Sequence, residues 1–298
     1  MKIISLILVF ILFCTAVVVS QQWQELNGEH FIVYYLQNEN FAKEISRKSE
    51  VYYRNIAKDL GYPRYSEFWL WDKRVKIYIY PDHTSYLKAT GQPSWSHGMA
   101  DYTNKQIVSY VWGKDFAVSI LPHEIAHLIF RDFIGFKGEA PLWLDEGVAQ
   151  WEEEAKRKYF KTMIKKSYDE DILLSLEEMM KLDIKKLKDK RIYIRSAVKK
   201  DGKESVLFLD REGIINAYYL QAVSLVGFLI ERYGSDRFAC FCRQLRDGKT
   251  LNGALKFTYP EHIRNLSELE DKWKEYIKQI KYEPITEAKY KTYRDIGR

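Results

Sequence analysis

Apolar and polar residues alternate with a period of two along Arg74-Val75-Lys76-Ile77-Tyr78-Ile79-Tyr80, the clearest half-buried strand in the chain, and Pro81-Asp82 breaks it. His30-Phe31-Ile32-Val33-Tyr34-Tyr35 reads as an earlier strand, followed by a helix from about Asn40 to Leu60 that Gly61-Tyr62-Pro63 ends. Gly98-Met99-Ala100-Asp101-Tyr102 and Gln106-Ile107-Val108-Ser109-Tyr110 flank Thr103-Asn104-Lys105, the layout of a hairpin with a three-residue turn. The period then lengthens. Ile125, Leu128 and Ile129 form an apolar face on a helix with Ser119 placed as its N-cap, Pro122 at an early helical position and Gly135 as its stop. Pro141-Leu142-Trp143-Leu144-Asp145-Glu146-Gly147-Val148-Ala149-Gln150-Trp151 predicts a second helix, with proline at its start and apolar residues at helical spacing.

Beyond Glu154 the pattern is helical and charged. Asp169-Glu170-Asp171 and Asp201-Gly202-Lys203 are loop-like, Val206 to Leu209 is a short strand or extended segment, and Ala217 to Ile230 is a buried helix with Gly234 as its C-terminal stop. Strands first and helices afterwards predict an α+β fold, a small mixed twisted sheet packed on the 119–135 helix and then a mainly helical C-terminal subdomain. No repeat and no proline- or glycine-rich linker divides the chain. A soft boundary near residue 155 therefore separates 21–154 from 155–298, with 1–20 standing apart.

Within the 119–135 helix lies His123-Glu124-Ile125-Ala126-His127. Histidines at i and i+4 share one helical face, so both imidazoles reach one metal ion, and the glutamate beside the first holds a water against that metal. A catalytic zinc takes three protein ligands and leaves a fourth position for water. Glu146, on the second helix, is the candidate third ligand: the eighteen residues from Leu128 to Asp145 suffice to finish one helix, turn, and bring an antiparallel helix back to the metal. Asp145 is a second candidate, about 100° around that helix from Glu146, so the two cannot both point at the metal. A place behind a ligand, or at the helix N-terminus, suits Asp145 better.

His123 to His127 followed by Trp143-Leu144-Asp145-Glu146-Gly147-Val148-Ala149-Gln150-Trp151 resembles the gluzincin metallopeptidases, specifically the bacterial peptidase MA-like group, in which H-E-x-x-H and a W-L-x-E-G-x-A helix surround one zinc. The resemblance extends to a mixed sheet before the first motif and a helical part after it that ends in Leu269, Glu270, Trp273 and Tyr276. It implies a thermolysin-like catalytic architecture with one Zn2+ per chain, His123, His127 and Glu146 as ligands and Glu124 as general base. It also implies that Gly98 to Asp101 or Ile107 to Tyr110 lines the cleft and binds substrate backbone by strand addition. In the related aminopeptidases a tyrosine opens a Y-x-K-G helix, and Tyr219-Leu220-Gln221-Ala222 matches that frame loosely, so the resemblance carries the oxyanion donor to Tyr219, with Tyr218 its neighbouring rival.

The first residues change where such an enzyme would act. Met1-Lys2 precedes an uncharged apolar run from Ile3 to Ser20, which reads as a secretory signal cleaved after Ser20, with an uncleaved N-terminal anchor as the alternative. The expected location is secreted, periplasmic or cell envelope, with membrane contact only if the segment stays. No second hydrophobic span is evident in the mature region. Cys14 follows Phe13 rather than a small residue, which disfavours lipidation. Cys240 and Cys242 sit about 200° apart on a helix, a poor geometry for a local disulfide, and read as small core residues.

Net charge is +6, concentrated in Lys156 to Lys166 and Lys181 to Lys203 without glycine-aromatic nucleic-acid signatures, so a solvated helical face is expected in preference to an anionic polymer partner. His30, His83 and His262 each follow an acidic residue and are expected at the surface, and His97, just before the hairpin, is a weaker candidate for substrate contact. Three function classes follow: a secreted zinc endopeptidase acting on peptide or protein substrates, an aminopeptidase of the same clan, and a noncatalytic metal-stabilised binding or scaffold domain. An aminopeptidase needs an acid beside a G-x-M-x-N strand, and here only Asp101 is offered, in a different frame, which favours the endopeptidase.

Overall fold

In the computed structural model a five-stranded sheet is built from β1 (Gln24–Asn27), β2 (Phe31–Tyr35), β3 (Val75–Tyr80), β4 (Gly98–Asp101) and β5 (Gln106–Tyr110) in the order β1-β2-β3-β5-β4. The residues described are 22–60, 69–94, 96–113, 116–135, 140–184, 187, 194–200 and 203–281; the apolar run Ile3 to Ser20 and the stop at Gly61-Tyr62-Pro63 lie outside them. β2, β3 and β5 run parallel, and β1 and β4 are antiparallel edges, so the sheet is mixed. Val33 pairs with Ile77 and Ile77 with Ile107, which sets every second residue on one buried face. The half-buried partners Ile32, Tyr34, Lys76 and Tyr78 face the other way, as the period of two predicts.

The buried face packs on α1 (Glu39–Asp59) and α3 (Leu121–Ile134), and α2 (His83–Thr90) covers Val108 and Tyr110 on the opposite face. Asn38, left-handed with φ 60°, starts α1 by accepting from the backbone N–H of Phe41. Gly135, with φ 73°, closes α3 through its N–H to the Arg131 carbonyl. The expected N-cap is corrected: a π-type turn, Phe116–Ile120, runs directly into α3, Ile120 is already helical, and Ser119 has no capping role. Its hydroxyl instead donates to Glu153 at 2.6 Å, a long-range bond that no local pattern encodes. Tyr52 on α1 donates to the Ala117 carbonyl and anchors the same turn.

After α4 (Leu142–Glu152) come α5 (Glu154–Asp169), α6 (Leu176–Lys181), α7 (Arg211–Tyr233), α8 (Ser235–Arg246), α9 (Leu251–Thr258) and α10 (Leu266–Gln279). The helical reading of the basic stretch from Lys181 to Lys203 is also corrected, since Ile194–Lys200 forms a strand, β6, antiparallel to β7 (Lys203–Leu209). One apolar core runs through the sheet, α1, α3, α4 and the C-terminal helices. Among the described residues α7 is long and apolar enough to cross a bilayer, but 67% of its most apolar window is buried, and it serves as the central core helix. Cys242 is buried and Cys240 half-buried on α8, both as free thiols.

The crossing of α4 and α7 depends on two glycines. A Cβ on Gly147 would lie 2.6 Å from the Ala222 carbonyl oxygen, and one on Gly227 would lie 2.6 Å from the Trp151 ring. Each helix thus presents a bare backbone where the other presses on it, and a single added methyl there costs roughly 1–3 kcal/mol in overpacking. Gln221 on α7 bonds both the N–H and the C=O of Leu174, while Trp273 on α10 donates to Ser224. The C-terminal motif is likewise structural at Leu269 and Trp273, both fully buried, and at Glu270, which accepts from the Leu176 N–H.

Candidate metal centre

His123 and His127 lie one turn apart on α3, and their Nε2 atoms are 3.1 Å from each other. Glu146 Oε2, brought back by α4, is 3.8 Å from each. The outer nitrogens are held from behind: His123 Nδ1 meets Glu153 Oε1 at 2.8 Å, and His127 Nδ1 meets Asp145 Oδ1 at 3.0 Å. An ionised carboxylate can only accept, so each Nδ1 donates outward and each Nε2 is turned to the same point. Two bare lone pairs at 3.1 Å would repel, so either a shared proton or a metal cation belongs between them. Tetrahedral zinc with bonds of about 2.0–2.1 Å would hold its ligand atoms roughly 3.3–3.4 Å apart, so this two-nitrogen, one-oxygen set fits that ion with small adjustments.

Charge around the pair is arranged accordingly. Burial opposes a proton on His127, but Asp145, Glu146 and Glu124 outweigh it and push the imidazole up to about 9. Burial also works against the Asp145 carboxylate, yet His127 and Arg131, whose Nη2 donates to it at 2.6 Å, hold it down at about 2. Glu153 is 1% exposed and bonded by Ser119, His123 and Lys156, the last at 2.8 Å; against the cost of burial, Lys156 and His123 keep it below the ordinary carboxylate range. Glu124 moves the other way, raised by burial, with Glu146 and Glu153 reinforcing the shift and the two histidines opposing it. Among the described residues its carboxyl has no hydrogen bond or ion pair, unlike the acids that support the histidines.

The geometry thus brings His123, His127, Glu146 and Glu124 together and sets Asp145 behind His127. Both tyrosines of α7 also reach this neighbourhood: burial raises each hydroxyl, and the Glu146 charge is the next cause for both. Tyr218 is 2% exposed and packed in the core, while Tyr219 is half-buried, with the rings edge to face at 6.0 Å. The 100° between them on the helix does not by itself remove Tyr218 from the charge of Glu146.

Two residues escaped the sequence reading. Glu153 had a signal, since it follows Glu146 by seven residues, two helical turns on the same face. Tyr102 had one as well: Gly98, Ala100 and Tyr102 share a side of the β4 hairpin, and a Cβ on Gly98 would lie 2.6 Å from Ile120, in the turn that leads into α3. Tyr102 stands edge-on to His127 at 6.1 Å, and the Arg131 guanidinium lies 3.9 Å over its ring. Its hydroxyl is raised by burial and by the Asp145 and Glu124 charges.

Other expected site residues are engaged elsewhere. β4 is the free edge of the sheet beside α3, whereas Ile107 to Tyr110 is interior to it. Asp101 accepts from the N–H groups of Thr103 and Asn104 and from the Asn104 side chain, and so caps its own turn. His97 belongs to the opposite face, bonded to the Tyr110 hydroxyl at 2.7 Å and stacked on Trp112 at 4.1 Å. His30 is no surface residue: it is 3% exposed, stacked on Tyr53, and its Nδ1 is 2.7 Å from Glu50. With Glu29 these two form a second ligand-type group, but there the Glu50 carboxylate also accepts from the backbone N–H of His30 at 2.9 Å.

No family model matches the sequence, and no curated protein matches it. Among solved structures the chain is similar to a zinc metallopeptidase of the M1 group from Deinococcus radiodurans, an E323A mutant, at 13% identity and a TM-score of 0.39, covering 89% of this chain and 54% of that one. The chain therefore spans about half the length of that protein.

Proposed function

We propose that this chain is a zinc-dependent peptidase of gluzincin type, similar to the bacterial peptidase MA-like group, that hydrolyses internal peptide bonds. The observation that carries the reading is the pair of Nε2 atoms turned inward beside Glu146, each histidine held from behind by its own carboxylate, with a Glu124 that is unengaged among the described residues next to them. Bound zinc supplies a Lewis acid for the scissile carbonyl and a lowered pKa for its water. Glu124 takes a proton from the attacking water and passes it to the leaving amine, a task that a raised carboxyl pKa suits. The Tyr219 hydroxyl donates to the developing oxyanion.

Asp101 favours the endopeptidase over an aminopeptidase, because its carboxylate is already occupied by three donors and is a poor partner for a substrate ammonium. A structural zinc site would have no use for Glu124. Export of the mature protein, through cleavage after Ser20, completes the reading and is checked by N-terminal sequencing of material recovered outside the cell.

Cleavage of an unbiased peptide library by the purified protein, with internal cuts separated from terminal trimming, tests the activity directly. Glu124→Gln keeps the shape and removes the base, so zinc content persists while hydrolysis falls by about a hundredfold or more. Unchanged turnover in that variant would overturn the assignment.

A further inference from the structure

The basic stretch of α5 is not a uniformly solvated face. Lys165 and Lys166 pair with Asp169 and Glu170 one turn on, at 2.6 and 3.9 Å, as exposed helical lysines do. Lys158 and Lys161 behave differently. Among the described residues Lys158 makes no pair with Glu154, four positions before it, and both lysines line a cavity of about 490 Å³ where α5, α7 and α10 meet. Arg232 and Lys281 line it too, so four cations stand against one carboxylate, Glu231. That carboxylate is already occupied, by Lys161 at 2.8 Å and by the Tyr276 hydroxyl, which donates to it at 2.8 Å. Lys158, Arg232 and Lys281 carry no ion pair among the described residues. The cavity is also separate from the candidate metal centre: Glu231 follows Tyr219 by twelve residues of one helix, about 18 Å along its axis.

We propose that this cavity is a binding site for a small, multiply charged oxyanion bearing at least two neighbouring phosphate or carboxylate groups. Its volume falls in the range of small-molecule sites, roughly 300–1,000 Å³. Three cations without an ion pair among the described residues, on α5, on α7 and just past the end of α10, require more than one negative group to satisfy them, which selects against a single monovalent anion. Arg232 supplies a planar fork suited to two oxygens of one group, while Lys158 and Lys281 supply point charges for a second. Tyr276 and Lys161 keep Glu231 fixed on the wall, so the one acid among the described lining residues does not swing across the mouth of the site.

Calorimetric titration of the purified full-length chain with pyrophosphate and with citrate, at physiological ionic strength and against inorganic phosphate as the single-group control, tests this. The expected result is saturable one-to-one binding of at least one of the two, about tenfold or more tighter than inorganic phosphate. Preference for pyrophosphate identifies phosphate chemistry; preference for citrate identifies carboxylate chemistry. Changing both Arg232→Ala and Lys281→Ala, exposed positions whose loss leaves the melting temperature near that of the parent, reduces the affinity about tenfold or more. Binding that survives the double variant, as binding to the metal centre would, overturns the site. So does affinity that appears only with long polyanions such as polyglutamate and never saturates with either small probe.

Discussion

Two groups in this protein combine histidine with carboxylates at metal-ligand spacing, and they differ in which way the nitrogen lone pairs point. At His30 the ring nitrogen and the backbone N–H both end on Glu50, so the carboxylate is consumed in tying β2 to α1. At His123 and His127 the carboxylates stand outside, on Glu153 and Asp145, and the inner nitrogens face each other. Composition alone does not separate the groups. The direction of the supporting hydrogen bond does, because it decides which nitrogen keeps its lone pair.

The largest expected effect breaks that pair apart. Changing His123 and His127 together to alanine removes the bound zinc altogether, whereas His30→Ala keeps about one zinc per chain and loses stability of about 1–3 kcal/mol, the cost of leaving the half-buried Glu50 carboxylate short of a partner. Elemental analysis and thermal melting of the same preparations decide it. Full zinc in the double variant, or zinc lost from His30→Ala, would reverse the distinction.

A smaller effect concerns the tyrosines of α7. If the Tyr219 hydroxyl donates mainly in the transition state, Tyr219→Phe lowers kcat by about a hundredfold or more with little change in KM, zinc content or melting temperature. Tyr218→Phe is the control, and its deep burial predicts a loss of stability instead. A collapse of kcat in Tyr218→Phe with near-normal kcat in Tyr219→Phe would move the role by one residue.

Support for the histidines is finer still. Asp145→Asn keeps an oxygen for the His127 Nδ1–H but removes the charge, and Arg131, partly exposed, turns to water; zinc affinity falls by about ten- to a hundredfold. Glu50→Gln, the equivalent change at the other group, leaves zinc affinity unaltered. Competition with a metal-binding dye reads both.

Much of this arrangement is legible in the sequence because it is local. Alternation in Val75 to Tyr80, the hairpin after β4, Gly135 as a helix stop and the i,i+4 histidines are all encoded within a few residues of where they act. The hairpin's turn is 102–105, with Tyr102 in it, rather than the three residues 103–105 expected. The rest is set by contacts across the fold. Ser119 meets Glu153 thirty-four residues away, a partner that no capping pattern announces, and it therefore leaves the N-cap expected of it. Strand β6 is disguised by its lysines and arginine, since a two-stranded ribbon tolerates charge on both edges. The loose fit of Gln221 and Ala222 to the Y-x-K-G frame also has a tertiary reason: Gln221 is committed to the Leu174 backbone, and the Ala222 carbonyl lies where Gly147 needs open space.

Acidity separates the two groups most finely. With His127 pushed up to about 9, the metal-free imidazole holds a proton at neutral pH, and zinc must displace it. Zinc affinity therefore rises by about tenfold per pH unit as pH approaches 9 and flattens above it, since one proton is released per ion bound. The stability of the metal-free protein runs the opposite way. A histidine raised in the folded state contributes stability that is fully present below its unfolded pKa, near 6.5, and is lost as pH rises toward about 9. Asp145→Asn lowers the His127 pKa and should shallow both slopes together, whereas Glu50→Gln should leave both unchanged. Metal-free melting and zinc titration over pH 6–9 measure the pair; parallel rather than opposed slopes in the parent protein would show that the proton sits elsewhere.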